Sequence, residues 1–232
     1  MSLEDDLNAQ INEIFKRKWI IRSGRTVPEP NDVGLLNNAV ELPEATILYA
    51  DLSDSTKMVN NLPWQAATDI YKSFLLCAAR VIRAEGGKIR AYDGDRIMAV
   101  FVGKTKETSA ARTALKINYC VTRLVNPLYN RRYPSSSHEI RHVVGIDTST
   151  IRVARTGFRG ANDLVWVGRA ANYAAKLCSL TEKYSSYITA DVYNKLDDSI
   201  KYGSNHELMW EQRNWPEMNY MNIYQSNWRY KV

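Results

Sequence analysis

The alternation of apolar and polar positions divides the chain into an amphipathic start, a linker and a compact remainder. Residues 4 to 18 place Leu7, Ile11, Ile14 and Phe15 at helical spacing among charged neighbours, which predicts an N-terminal amphipathic helix. "RSGRTVPEPNDVG" breaks that pattern with prolines and glycines and reads as a linker. From about residue 45 the apolar runs become dense. "ATILYADL" is a strand, and Pro63 opens a long helix, "WQAATDIYKSFLLCAARVIRAEGG", that its terminal glycines stop. "AYDGDRIMAVF" then sets Asp-Gly between apolar runs and predicts a hairpin, because that dipeptide tolerates the positive φ of a tight turn. A second helix, "KETSAARTALKINYCVTRLV", precedes two strands, "IRHVVGID" and "TIRVARTG". A further strand, "DLVWVG", feeds the helix "RAANYAAKLCSLTEK". A strand, a short helix and a last strand pair near Leu208–Arg213 and Tyr220–Gln225 complete the order. The β-α-β-β-α-β core predicts an α+β fold, a ferredoxin-like antiparallel sheet with helices on one face. Residues 1–43 form the helix and linker, and residues 44–232 one domain.

Composition narrows the function classes. A length of 232 residues suffices for one domain with a sizeable core, and 45% hydrophobic with 24% charged residues is ordinary for a soluble protein. No apolar run approaches membrane-spanning length, and "MSLEDDLNAQ" is acidic where a secretory signal is basic, so a cytoplasmic chain without membrane association is expected. The three cysteines, Cys77, Cys120 and Cys178, lie far apart in helical segments and read as reduced core residues. A net charge of +6 suits an anionic partner. Apart from "NRRYPSSSHEIRH" the basic residues are scattered, which speaks against nucleic acid and suits a phosphate-rich ligand or a solvated surface.

Candidate chemistry sits at the strand ends. Asp51 closes the apolar strand "TILYADL", where a lone buried carboxylate is costly, whereas Asp54 in "SDST" reads as a helix cap. In a ferredoxin-like sheet the first strand and the hairpin are neighbours, so Asp51 and Asp95 converge at one sheet end. Two such carboxylates repel unless a divalent cation lies between them. Considered alone, "DGD" is more simply a turn.

Four stretches settle that choice: "TILYADLSDST", "GGKIRAYDGDRIMAVF", "VGIDTSTIRVARTG" and "LVWVGRAANYAAKLCSL". In order and spacing they resemble the class III nucleotidyl cyclase catalytic domain, over roughly residues 45 to 226. The resemblance implies that Asp51, Asp95 and the backbone carbonyl of Leu52 hold two divalent ions, Mn²⁺ or Mg²⁺, while Asp93 stays a turn residue. It implies that Asn172 orients the ribose and Lys176, where the family has arginine, stabilises charge at the α-phosphate. The two lie one helical turn apart, on one face. Arg213 stands at the family's triphosphate-gripping lysine, and Thr56 joins the substrate-binding residues. Val143 replaces an arginine of the family, with Arg141, on the same strand face, as its substitute. Half-sites from opposite subunits imply a homodimer with composite active sites, which the N-terminal helix either supports or leaves aside by packing on its own domain.

The base-reading positions depart from both purine patterns. Ala91 and Val165 stand where adenylyl and guanylyl cyclases carry hydrogen-bonding side chains, and a site lacking those groups loses its purine preference. Tyr49 replaces a phenylalanine on the face of Asp51 and narrows the pocket. That combination resembles the pyrimidine cyclases of Pycsar anti-phage defence, which make cyclic UMP or cyclic CMP and activate a separate effector protein. UTP is favoured over CTP. The rival expectations are a purine cyclase with an unorthodox pocket and a degenerate nucleotide-binding module that does not catalyse.

Overall fold

The computed structural model describes residues 2–158, 161–180 and 183–232. The chain begins with helix α1 (Leu3–Lys16), whose Ser2–Asp5 capping box satisfies its first turn. Strand β1 (Ile20–Ser23) lies parallel to the start of β2 (Asn38–Leu52). Helices α2 (Ser55–Asn61) and α3 (Trp64–Ala84) lead to the hairpin of β3 (Lys88–Asp93) and β4 (Arg96–Phe101). Helix α4 (Lys106–Cys120) continues through a π-type turn at Val121–Val125 into α5 (Asn126–Arg132). Strands β5 (His142–Phe158) and β6 (Ala161–Val167) precede α6 (Arg169–Cys178) and β7 (Ser186–Thr189). Two short helices, α7 (Ala190–Asn194) and α8 (Asp198–Lys201), and the strands β8 (Glu211–Trp215) and β9 (Met221–Ser226) finish the fold.

The sheet runs β3-β4-β2-β5-β7-β9-β8, with β1 beside β2 and β6 beside β5. It is antiparallel except at β1–β2 and β5–β7. Alternation assigns its faces. Leu48 and Ala50 of β2, Ile97 and Ala99 of β4 and Val144 and Ile146 of β5 share the main core with Phe74 of α3 and Leu115 of α4. The other face carries α6, whose Ala170, Ala171 and Ala174 pack against Ile47, Met98 and Ile151. The ferredoxin-like layout therefore places its long helices together, with α6 alone across the sheet.

Two elements differ from the expectation. The segments read as separate strands, "IRHVVGID" and "TIRVARTG", form one strand of 17 residues. Both halves pair with β2, and the irregularity falls on β2 instead, between Leu42 and Ala45, where Pro43 cannot donate to the ladder. Strand β2 starts at Asn38, so it takes in residues assigned to the linker. All three cysteines are free and lie on helices, as expected.

Candidate active site

The registers bring the predicted carboxylates together. Asp51 is the penultimate residue of β2, opposite Val143 of β5, and Ala50 faces Ile97 of β4. One rung further, Arg96 follows the turn Asp93–Gly94–Asp95, in which Gly94 takes φ +59. Arg96 donates from Nε at 2.9 Å and Nη2 at 2.7 Å to Oδ2 of Asp51. Oδ1 of Asp51 and Oδ2 of Asp95 are buried and accept no hydrogen bond. Burial pushes the Asp51 carboxyl above the usual range, against the pull of Arg96, and the nearby Asp95 adds to the rise. Arg96 itself loses by burial but is held further toward its charged form by Asp51.

Two unpartnered, hard oxygen donors at one sheet end are the donor set a divalent cation of the Mg²⁺ or Mn²⁺ type requires. Among the described residues no cluster of three or more His, Cys, Asp or Glu side chains competes for that role. Leu52, the expected carbonyl donor, is buried on the last rung of β2, opposite His142.

A row of side chains crosses the sheet beside the carboxylates. Ala91, Met98, Tyr49 and Gly145 stand opposite one another across β3, β4, β2 and β5. Paired residues share a face, and Gly145 identifies it: a Cβ there would lie 2.2 Å from the Ala174 carbonyl of α6. Tyr49 therefore shares the face of Asp51, as alternation predicts. Burial raises its phenol pKa, and the charge of Arg96 lies near enough to oppose that rise.

The other expected residues lie apart from these. Asn172 and Lys176 sit on the exposed side of α6, whose opposite side, Ala170, Ala174 and Leu177, is buried on the chain's own sheet. Lys176 Nζ approaches Met218 Sδ at 3.5 Å. Arg213 lies on β8 opposite Ile223, on the face where Trp215 meets Tyr173 of α6 edge-on. Val165 is exposed on β6, and Thr56 is exposed in the first turn of α2. One chain thus holds its carboxylates on one site edge while Asn172 and Lys176 face outward.

Arg141 directly precedes β5, where its carbonyl accepts from the Ser53 N–H at 2.9 Å, and its Nη2 donates to Oδ2 of Asp54 at 3.1 Å. One expectation, Asp54 as a side-chain helix cap, is corrected. Asp54 occupies the N-cap of α2 with φ 57 but makes no cap bond, because its carboxylate is taken by Lys57 and Arg141. Sequence reasoning missed Arg96, which needs the β2–β4 register to place it against Asp51. It also missed the network below α6, where buried Asp147 accepts from Thr189 at 2.5 Å and Arg169 Nε at 3.1 Å. Arg169, the first residue of α6, also donates to Asp191 and to the Thr148 carbonyl.

The chain is 52% identical, over the full length of both, to a uridylate cyclase of Burkholderia cepacia. It is 47% identical, again over both full lengths, to a uridylate cyclase of Xanthomonas perforans. Among solved structures, the guanylyl cyclase Cya2 superimposes with a TM-score of 0.67 at 19% identity, over 80% of this chain and 92% of that one. The adenylyl cyclase CyaB from P. aeruginosa gives 0.64 at 19% identity, over 81% and 95%. No family model matches. The chain belongs to the uridylate cyclase family, a group of nucleotidyl cyclases with the class III catalytic fold.

Proposed function

We propose that this nucleotidyl cyclase converts UTP to 3′,5′-cyclic UMP and pyrophosphate, as a homodimer with two composite sites. One observation carries the catalytic part: Asp51 and Asp95 keep buried carboxylate oxygens without a partner at the same sheet end. These two residues, with the Leu52 carbonyl, would hold two divalent ions. When bound, the ions lower the pKa of the ribose 3′-hydroxyl and take up charge on the triphosphate and departing pyrophosphate. Arg96 holds Oδ2 of Asp51 and leaves Oδ1 for coordination. In the reaction the 3′-oxygen forms a bond to the α-phosphorus as the bridge to the β-phosphate breaks, and pyrophosphate carries away the electron pair.

The partner's α6 supplies the remaining groups. Asn172 orients the ribose, and Lys176 stabilises the charge that builds at the α-phosphate. Lysine keeps the charge of the usual arginine but not its planar fork. Arg213 grips the triphosphate, and Thr56 contributes at its edge. Ala91 and Val165 offer the base no hydrogen bonds, so the purine-reading groups are absent. Tyr49, on the face of Asp51, narrows the space for the base toward a pyrimidine. The name uridylate cyclase carried by the relatives supports UTP over CTP. Such a product serves as a second messenger that activates a separate effector in anti-phage defence.

The test is incubation with Mn²⁺ and each ribonucleoside triphosphate in turn, with products read by mass spectrometry. Cyclic UMP as the dominant product is expected. Cyclic CMP alone would move the base assignment, and a cyclic purine would overturn the pocket reading. No product from any nucleotide, with Mn²⁺ binding intact, would overturn catalysis in favour of a binding module.

A further inference from the structure

Helix α1 packs on nothing of its own. None of its residues is buried, and Leu7, Ile11 and Ile14 are 46%, 48% and 55% exposed along one stripe. Its only described tether is Asn37, whose Nδ2 donates to the carbonyls of Ile14 and Arg17. Three or four exposed apolar residues at helical spacing are the pattern of a helix that buries its stripe on another surface.

The same molecule carries a matching uncovered groove. It lies between α3 and α5, encloses about 900 Å³, and has Leu76 and Leu128 on its walls, 63% and 56% exposed. Its charged rim is complementary to the helix. Lys72 and Arg132 line the groove beside a single acid, Asp69, which is engaged by the Tyr133 hydroxyl. Helix α1 carries four carboxylates, Glu4, Asp5, Asp6 and Glu13, against one lysine.

Reach decides whose helix fits. Strand β1 ties the end of α1 to Asn38, at the far end of β2. The groove includes Tyr92 of β3, which stands beside Ile97, and Ile97 faces Ala50. Asn38 and Ala50 are 12 residues apart on one strand, which at ~3.3 Å per residue is roughly 40 Å. Helical rise and a fully extended hinge keep Leu7 within about 27 Å of Ile20. A chain's own helix falls short. We propose that α1 of one copy docks its Leu7–Ile11–Ile14 stripe in the α3/α5 groove of a second copy. This contact lies on the α3/α4 face of the sheet, rests on neither the reaction nor the composite site, and is tested separately from them.

The experiment uses the full chain in a Cys77→Ala background, because Cys77 lines the groove. Chains carrying Ile11→Cys are mixed with differently tagged chains carrying Leu128→Cys and oxidised. A mixed disulfide of summed mass is expected as the main product. Lys72→Glu with Arg132→Glu on the groove chain should lower its yield about tenfold, and Glu4→Lys with Asp6→Lys on the helix chain should restore it. Disulfides only between two Ile11→Cys chains would overturn the proposal, showing that the helices pair with each other. A chain bearing both cysteines that closes within itself, or the absence of any product, would overturn it as well. The six positions other than Cys77 are exposed, so each variant is expected to unfold at the temperature of the Cys77→Ala chain.

Discussion

Replacing Gly145 by alanine tests how α6 is held over the sheet. A Cβ at this position would lie 2.2 Å from the Ala174 carbonyl oxygen, 2.4 Å from the Cys178 nitrogen and 2.8 Å from the Leu177 Cβ. Two of these atoms are backbone, so no side-chain rotation relieves the clash, and α6 must retreat by about 1 Å to reach van der Waals contact. Overpacking of a close-packed interface costs about 1–3 kcal/mol. For a chain of 232 residues, each kcal/mol lowers Tm by roughly 2–4 °C, so the expected fall is about 2–12 °C. The displaced helix carries Asn172 and Lys176, and a misplacement of about 1 Å costs on the order of 100-fold in rate. The aspartates sit on β2 and the hairpin, so Mn²⁺ affinity should stay within about threefold. Thermal unfolding, UTP turnover and Mn²⁺ titration read the three effects separately. A Gly145→Ala chain with parental Tm and parental kcat would refute the account, because it would mean that α6 does not rest on this strand as described.

Further outcomes follow from other parts of the molecule. Asp51→Ala or Asp95→Ala should reduce turnover below detection and weaken Mn²⁺ binding at least tenfold; Asp95→Ala should leave Tm unchanged or raised as carboxylate repulsion is relieved, whereas Asp51→Ala should lower it by leaving the Arg96 guanidinium without its partner. Mixing Asp51→Ala chains with Lys176→Ala chains should restore turnover through the intact site of each heterodimer; dimers without activity would exclude shared sites. Tyr49→Ala should raise the rate with ATP or GTP relative to UTP while leaving Mn²⁺ affinity unchanged, measured by competition between nucleotides. His142 is buried opposite Leu52 with no partner for Nε2, and burial lowers its pKa from 6.5 to about 4. The unfolded chain therefore binds the proton first, so stability should rise by about 3 kcal/mol from pH 4 to above 6.5. A His142→Phe chain should lack this share of the slope in urea titrations.

What the sequence discloses and what it hides divide along physical lines. That Asp51 and Tyr49 share a face was legible from the period of two along β2; the Asp-Gly turn brought Asp95 to the same sheet end, and Ala91 was singled out by the resemblance alone. That Asn172 and Lys176 share one side of a helix was legible from their spacing of four; that this side faces outward needed the packing of α6 on the sheet. Arg96 was not legible, although it directly follows Asp95. Its role depends on which residue of β2 lies opposite, and a register is a property of two strands. The same holds for the ion pair of Arg141 with Asp54, which depends on how the end of β2 meets the start of β5. The groove between α3 and α5 is further from view still. Leu76, Leu128 and Tyr92 come from three elements, and each reads as an ordinary apolar residue of its own helix or strand. Only their common exposure, in a chain whose α1 buries none of its stripe, shows surface left uncovered. Local periodicity assigns a side chain to a face; what that face meets depends on long-range pairing, and, for α1, on a copy of the chain that the sequence describes only once.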